Sequence, residues 1–232
     1  MRALSDCDLL ALWEGGHRRH PLDRALLTLG AAFPDANHEG LADWPLGRRN
    51  RALAELRCRC FGNRLHGWIA CSGCGEKLEF EMDGRALAGE PGPDGPIVVN
   101  AQSFRLPTSR DLAVAATESN PVKAAIRLVE SCRLSGEDPP AWSSDELDEI
   151  GHRMAEGDPL AETLLTLHCP NCGQAREDTF DIASFLWEEI EARARRILLE
   201  VHALASAYGW GEAEILSLSQ SRRAIYLAMV QA

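Results

Sequence analysis

No stretch of this chain approaches the roughly 18–20 consecutive apolar residues that a bilayer-crossing helix needs, because charges interrupt every apolar run within a few residues. A membrane-spanning helix is therefore not expected. The first residues, MRALSDCDLLALWEGG, also lack the long apolar core and small-residue cleavage site of a secretory signal, so the expected location is cytoplasmic. Basic residues are scarce: 24 Lys plus Arg stand against 35 Asp plus Glu, a formal net charge of −11, and only Lys77 and Lys123 are lysines. That balance disfavours generic affinity for phosphate backbones. Gly-x-Ser-x-Gly, His-Glu-x-x-His and Walker-type loops are missing, and no motif supports Cys132 as a nucleophile with His152 as its base. The stretch GEPGPDGP, 89–96, has a glycine every third residue, but its prolines and the lack of a following helix argue against a phosphate cradle; it reads as a turn or loop.

What remains is 232 residues, 45% apolar and 25% charged, long enough to bury a core without covalent staples. The first 60 residues read as helices over 5–14, 22–33 after Pro21, and about 46–60. In the third, Leu46, Leu53, Leu56 and Cys60 share a face, while Arg48, Arg49, Arg51, Arg57 and Arg59 occupy other positions. That basic face reads as solvated, with docking to an acidic partner surface as the alternative. Short β-like runs follow over 65–70 and 77–82, then 97–106, then helices near 109–117 and 121–133. A polar, proline-bearing stretch over 134–144 leads to a helix that Ser144 is placed to cap, and 160–168 is again strand-like. From residue 182 the apolar positions Ile182, Leu186, Ile190, Ala194, Ile197, Val201, Leu204 and Tyr208 follow a helical period over about 40 Å. Asp181 suits the N-cap, Phe180 and Phe185 a hydrophobic staple, and Gly209 the far end. Two short helices, 211–218 and 219–230, complete the chain. The six tryptophans read as core or interface packing, and His17 and His20 with Arg18 and Arg19 as an exposed polar loop.

Eight cysteines are too few for a disulfide scaffold, and their placement is uneven. Cys7, Cys58, Cys60 and Cys132 fall in helical segments as small core hydrophobes, whereas Cys71/Cys74 and Cys169/Cys172 form two Cys-x-x-Cys-Gly knuckles. Each knuckle adjoins strand-like runs and is followed nine residues after its second cysteine by an aspartate, Asp83 or Asp181, a weak internal repeat. Two thiolates on a tight turn reach one ion, and the glycine after the second lets the turn close. Together Cys71, Cys74, Cys169 and Cys172 make a complete four-thiolate set for one structural Zn²⁺ per chain, with no open position for catalytic water. Closing the long loop between Cys74 and Cys169 costs roughly 4 kcal/mol before constants. Structural zinc binding is worth about 10–16 kcal/mol, so the separation is no obstacle. Redox dithiols, a pair of disulfides, a degenerate site, and iron in place of zinc stay open as alternatives. His168, beside Cys169, is expected on the strand rather than on the metal.

The fold class expected is α+β, mostly helical, with a small antiparallel β region forming a split four-cysteine zinc ribbon and a long helix late in the chain. The organisation is an N-terminal helical region, 1–62, a split ribbon, 63–180, carrying a β/helical insertion over 84–160, and a helical region, 181–232.

Several segments resemble the zinc-knuckle proteins of contractile phage-tail-like gene clusters, grouped with the baseplate hub assembly chaperones of T-even-type phages. They are LWEGG near the start, Arg57 through the first knuckle to Phe80, Phe104 to Leu112 (FRLPTSRDL), and above all Cys169 to Val230, where FDIASFLWEEIEARARRILLEVHALASAYGW precedes EILSLSQSRRAIYLAMV. The resemblance implies a non-enzymatic assembly factor, or a minor structural component, of the baseplate or hub of a contractile injection machine. Its partners would be hub or spike proteins, and it would be found in the cytoplasm or in the particle. The competing class is a nucleic-acid-binding zinc ribbon such as a transcription accessory. The charge of −11 opposes it, with Lys77 and Arg176 the basic residues nearest the knuckles.

Overall fold

The computed structural model describes residues 1–89, 92, 95–136 and 141–230. Parts of the expected loop over 89–96 and of the polar stretch over 134–144 lie outside the described residues.

Helix α1 (Asp6–Gly16) starts at a capping box in which the Ser5 hydroxyl accepts from the Asp8 amide and the Asp8 carboxylate accepts from the Ser5 amide. Helix α2 (Pro21–Ala32) opens on a proline, whose missing N–H has no helical partner at that position anyway. A single turn, α3 (His38–Leu41), escapes the sequence reading because four residues carry no period. Helix α4 (Leu46–Phe61) follows, and the long α8 (Ile182–Tyr208) packs against α1, α2 and α4. Their apolar faces form one cluster in which Leu29, Leu53, Leu56, Ile190, Ala194 and Ile197 are fully buried. Asp181 caps α8 through the Ala183 amide, Phe180 and Phe185 meet at 5.3 Å across that cap, and Gly209 ends the helix in the left-handed conformation. The expected stripe weakens at its far end, where Val201 is half-buried and Tyr208 is exposed and stacks on Trp210 at 4.7 Å.

The basic face expected on α4 is only partly solvated. Arg48 and Arg59 are exposed, but Arg49 and Arg57 are buried. Arg57 grips Glu189 of α8 through two hydrogen bonds of 2.6 and 2.8 Å and donates to the carbonyls of Gly62 and Arg64. One guanidinium thus holds α4, α8 and the exit of α4 together, a use that a fork of five donors permits. Arg49 donates to Asn50 and Ser109. Linear periodicity cannot foresee the pairing with Glu189 and Ser109, because these lie 132 and 60 positions away.

A second apolar cluster joins Val99, Phe104, Val129, Cys132, Ile150 and Met154. It is built from β3 (Ile97–Val99), β4 (Gln102–Phe104), α6 (Pro121–Cys132) and α7 (Ser144–Gly157), with α5 (Ser109–Ala115) against α6. The segment expected to be one β run over 97–106 is instead a hairpin, turning at Asn100 and Ala101 with φ of 48° and 63°. Alanine seldom takes positive φ, so the turn left little signal. A third strand, β5 (Arg133–Ser135), pairs with β4 and was not foreseen. The cap of α7 is Ser143 rather than Ser144. This unit is fastened to the start of α4: the Leu46 amide donates to Pro107, the Gly47 amide to Asp158 at 2.7 Å, and the Asn50 side chain to the carbonyls of Leu160 and Ala161.

Among the described residues no helix is long and apolar enough to cross a membrane.

Candidate metal centre

Two antiparallel hairpins carry the knuckles. In the first, β1 (Arg64–Ala70) pairs with β2 (Lys77–Asp83); in the second, β6 (Thr163–His168) pairs with β7 (Ala175–Phe180). The first leaves the C-terminal end of α4 and the second enters the N-terminal end of α8. Because those two helices pack side by side, the hairpins rise from neighbouring points. They meet through Phe80, midway along β2, and Phe180, at the base of the second hairpin, edge to face at 5.9 Å, and Phe180 touches Phe185 of α8.

The repeat seen in the sequence is a repeat in structure. In each hairpin the amide after the second cysteine donates back to the first cysteine's carbonyl, Gly75 to Cys71 at 2.7 Å and Gly173 to Cys169 at 2.9 Å. The Cys71 amide donates to Glu76, and the Cys169 amide to Gln174. Gly75 and Gly173 hold φ of 76° and 73°, which a side chain would strain. The matched aspartates both cap helical turns: Asp83 accepts from Arg85 at the start of a 3₁₀ turn (Gly84–Ala88), and Asp181 from Ala183.

At the tips the knuckles converge. The four sulfurs of Cys71, Cys74, Cys169 and Cys172 lie within 4.8 Å of one another. Cys71 and Cys172 are 3.7 Å apart, and Cys74 and Cys169 are 3.6 Å apart. A disulfide requires about 2.05 Å. A tetrahedron with four metal–sulfur bonds of about 2.3 Å has edges of about 3.8 Å, so the spacing fits a bound ion and not a bonded pair. All eight cysteines are free thiols. In each knuckle the first cysteine is buried and the second exposed. Knuckle touches knuckle at Gly73, where an added Cβ would lie 2.5 Å from the Gln174 side chain.

The electrostatics favour a cation here. The amides of Gly73 and Cys74 hold the Cys71 thiol down to about 6. At Cys172 the Gln174 amide favours the thiolate, but the neighbouring Cys169, burial, Cys71 and Cys74 together push the thiol up to about 11. Four thiols this close cannot all ionise alone, and a divalent ion removes that conflict. Apolar support is thin: among the described residues only Leu78 and Leu167 pack with the buried Cys71 and Cys169. Arg176, on β7, pairs with Asp178 at 3.4 Å, yet its Nε and Nη1 are buried without a hydrogen-bond partner.

The other candidate residues lie apart from this cluster. His168 is exposed on β6, as expected of a strand residue. Cys132 is fully buried, and burial pushes its thiol up to about 11, while His152 is exposed on α7 and faces Glu156 at 3.3 Å. Cys58 and Cys60 are half-buried, but Cys7 is exposed, contrary to its reading as a core residue, because it falls on the outer face of α1. His17 and His20 are exposed, and His20 caps α2. Five tryptophans are at least half-buried; Trp68, 59% exposed with Lys77 above its ring at 5.5 Å, lies outside the core.

No family model matches the chain, and no curated protein or solved structure matches it.

Proposed function

We propose that Cys71, Cys74, Cys169 and Cys172 ligate one structural Zn²⁺, closing a split zinc ribbon, in a non-enzymatic assembly factor or minor component of the baseplate or hub of a contractile tail-like particle. The observation that carries the zinc clip is the convergence of four thiols from two repeated knuckles within 4.8 Å, with pair distances near a tetrahedral edge. Four protein thiolates fill the coordination sphere, which suits a structural ion and leaves no place for a metal-bound water. The assembly role is supported by the sequence resemblance of the segments around the knuckles and along α8. A zinc clip at the tips and the Arg57 grip at the bases fix the hairpins on α4 and α8, so that the inserted unit and the last helices present constant surfaces to hub or spike proteins.

Two measurements test this reading. The cobalt-substituted protein should show one ion per chain with thiolate-to-metal charge-transfer absorption of a tetrahedral four-sulfur site; fewer than four sulfur ligands would refute the clip. The chain should copurify with the tail-like particle or with its unassembled hub proteins, and Cys169→Ser should lower both thermal stability and copurification. Unchanged melting with unchanged copurification would refute the mechanism. Salt-dependent binding of labelled DNA or RNA at physiological ionic strength would replace it with the nucleic-acid reading.

A further inference from the structure

After the short α9 (Glu212–Ser217), the helix α10 (Gln220–Val230) contradicts the usual distribution of polarity on a surface helix. Its sequence from Ala224 onward, AIYLAMV, is apolar on every side. Yet only Arg223 is buried, and Tyr226 and Leu227 are half-buried. Ile225 is 57% exposed and Met229 62%, and Ala224 and Ala228 are exposed with them. A helix that is apolar all round is normally covered all round. Here α8 covers one side and nothing among the described residues covers the other.

The inner side is held with unusual firmness. The Arg223 guanidinium, 2% exposed, bonds to Asp6 of α1, to Glu200 of α8 at 3.2 Å, and to the Leu218 carbonyl at 2.9 Å. Arg193 joins the same two carboxylates at 3.0 and 3.5 Å, making a balanced network of two cations and two anions. Tyr226 then packs against Tyr208 at 5.7 Å and Trp210 at 4.9 Å. The outer face is thus presented by a fixed helix, which lowers the ordering cost of docking.

Ile225, Ala228 and Met229 fall on one stripe at spacings of three and four, with Arg222 one turn before Ile225. Arg222 is exposed and makes no ion pair among the described residues. No acidic residue occurs on α10, although the whole chain carries −11. We propose that this outer stripe is a docking helix for a second protein, one that offers an apolar groove rimmed by carboxylates. The stripe offers arginine and no acid, and so selects such a rim. A second copy fits poorly. Two three-turn helices meeting along this stripe would bury far less than the roughly 800 Å² per partner of a stable interface. A groove that wraps the helix buries more, and helix-in-groove recognition uses this spacing of anchors. The inference deepens the assembly-factor reading and rests on it for the partner's being part of a particle.

The test installs the photo-crosslinking residue p-benzoylphenylalanine at position 225, 229 or, as a control, at the exposed Asp148 of α7, in the full chain expressed in its native cells. Irradiation should give an adduct with one defined protein, identified by mass spectrometry, from 225 and 229 and not from 148. That protein is then purified and titrated. Ile225→Asp and Met229→Asp should each lower its affinity at least about thirtyfold. Arg222→Glu should lower it about tenfold, mainly in the association rate, with a weaker salt dependence. Because these side chains are exposed, the variants should melt as the parent does, which separates lost docking from lost folding. Adducts only with another copy of the chain, no adduct at 225 and 229, or binding to anionic phosphatidylserine vesicles abolished by the same variants would overturn the proposal. An adduct with a protein foreign to any tail-like particle would keep the docking helix and remove the assembly reading. Copurification with hub proteins without adducts at 225 or 229 would do the reverse.

Discussion

The helical body and the pair of cysteine hairpins hold together by different means. Around α8, apolar side chains from four helices interlock, and removing any one leaves many neighbours in place. At the hairpin tips the buried apolar set is Leu78 with the two inner cysteines, and the four thiols supply most of the remaining contact. The first region owes its shape to the hydrophobic effect spread over many residues, the second to one point. A small, two-stranded hairpin is marginal by itself, so such a point has to be strong.

Metal removal should break the comparison most sharply. With the proposed ion in place, chelation would withdraw about 10–16 kcal/mol of binding energy from the tips, and Cys169→Ser a part of it. Amide exchange should then accelerate throughout β1, β2, β6 and β7 while α1, α4 and α8 keep their protection. A single concerted loss of protection across both regions would show that they are one cooperative unit. Thiol alkylation gives a second view: Cys7 should react in both forms, and Cys74 and Cys172 only after chelation, because they are the exposed members of their knuckles.

Core truncations should come next in size. Ile190→Ala, at a site with no exposure, should cost about 2–5 kcal/mol by chemical denaturation. Leu78→Ala should cost less while the metal is bound, and the two costs should converge once it is removed. Equal costs in the metal-bound protein would mean that the hairpins have a self-sufficient core.

The inserted unit offers a third contrast, since a charge sits at its base. Asp111 is 4% exposed; burial pushes its carboxyl up, but hydrogen bonds from Arg105 and Thr108 outweigh that and hold it well below the ordinary range. A depressed carboxyl stabilises above its unfolded value near 3.9, and that contribution fades as pH falls through the folded value. Asp111→Asn should therefore cost about 1.5–3 kcal/mol at neutral pH. The gap from the parent should shrink below about pH 4. A gap that is constant with pH would remove the ion pair from the account.

The two matched caps should show the smallest effect. Asp181→Ala should cost about 1 kcal/mol, because it starts a 27-residue helix. Asp83→Ala should cost less, because it starts a five-residue 3₁₀ turn. The reverse order in thermal melts would show that the repeat is not a copy with a stronger and a weaker half.

Much of this was legible in the linear chain, and what was not has common causes. The period of α8, its Asp181 cap and Gly209 end, and the two Cys-x-x-Cys-Gly turns are local, so their signals lie within a few residues. The inward role of Arg57 and Arg49, the Asn100–Ala101 turn and the pairing of β5 were not legible. Each depends on a partner distant in sequence or on a residue type that rarely adopts the conformation found. The exposure of Cys7 and Trp68 was equally hidden, because a residue's face is set by the elements that pack around it. The meeting of the knuckles lay between these cases: the spacing suggested it, and the packing of α4 on α8 brings it about.

That meeting also has a consequence in time. Cys74 and Cys169 are 95 positions apart, so at synthesis rates of roughly 5–20 residues per second the first knuckle waits about 5–20 s on the ribosome for the second. During that interval it has two thiols and no tetrahedron to complete, while the intervening unit is made. Under the proposed metal clip, ion capture would come late, after about three quarters of the polypeptide has been made, and a chain interrupted before Cys172 would never complete the ligand set. Such a clip would record that synthesis has passed through the insertion, and an unclipped first knuckle would mark a molecule in which the second has not yet been made.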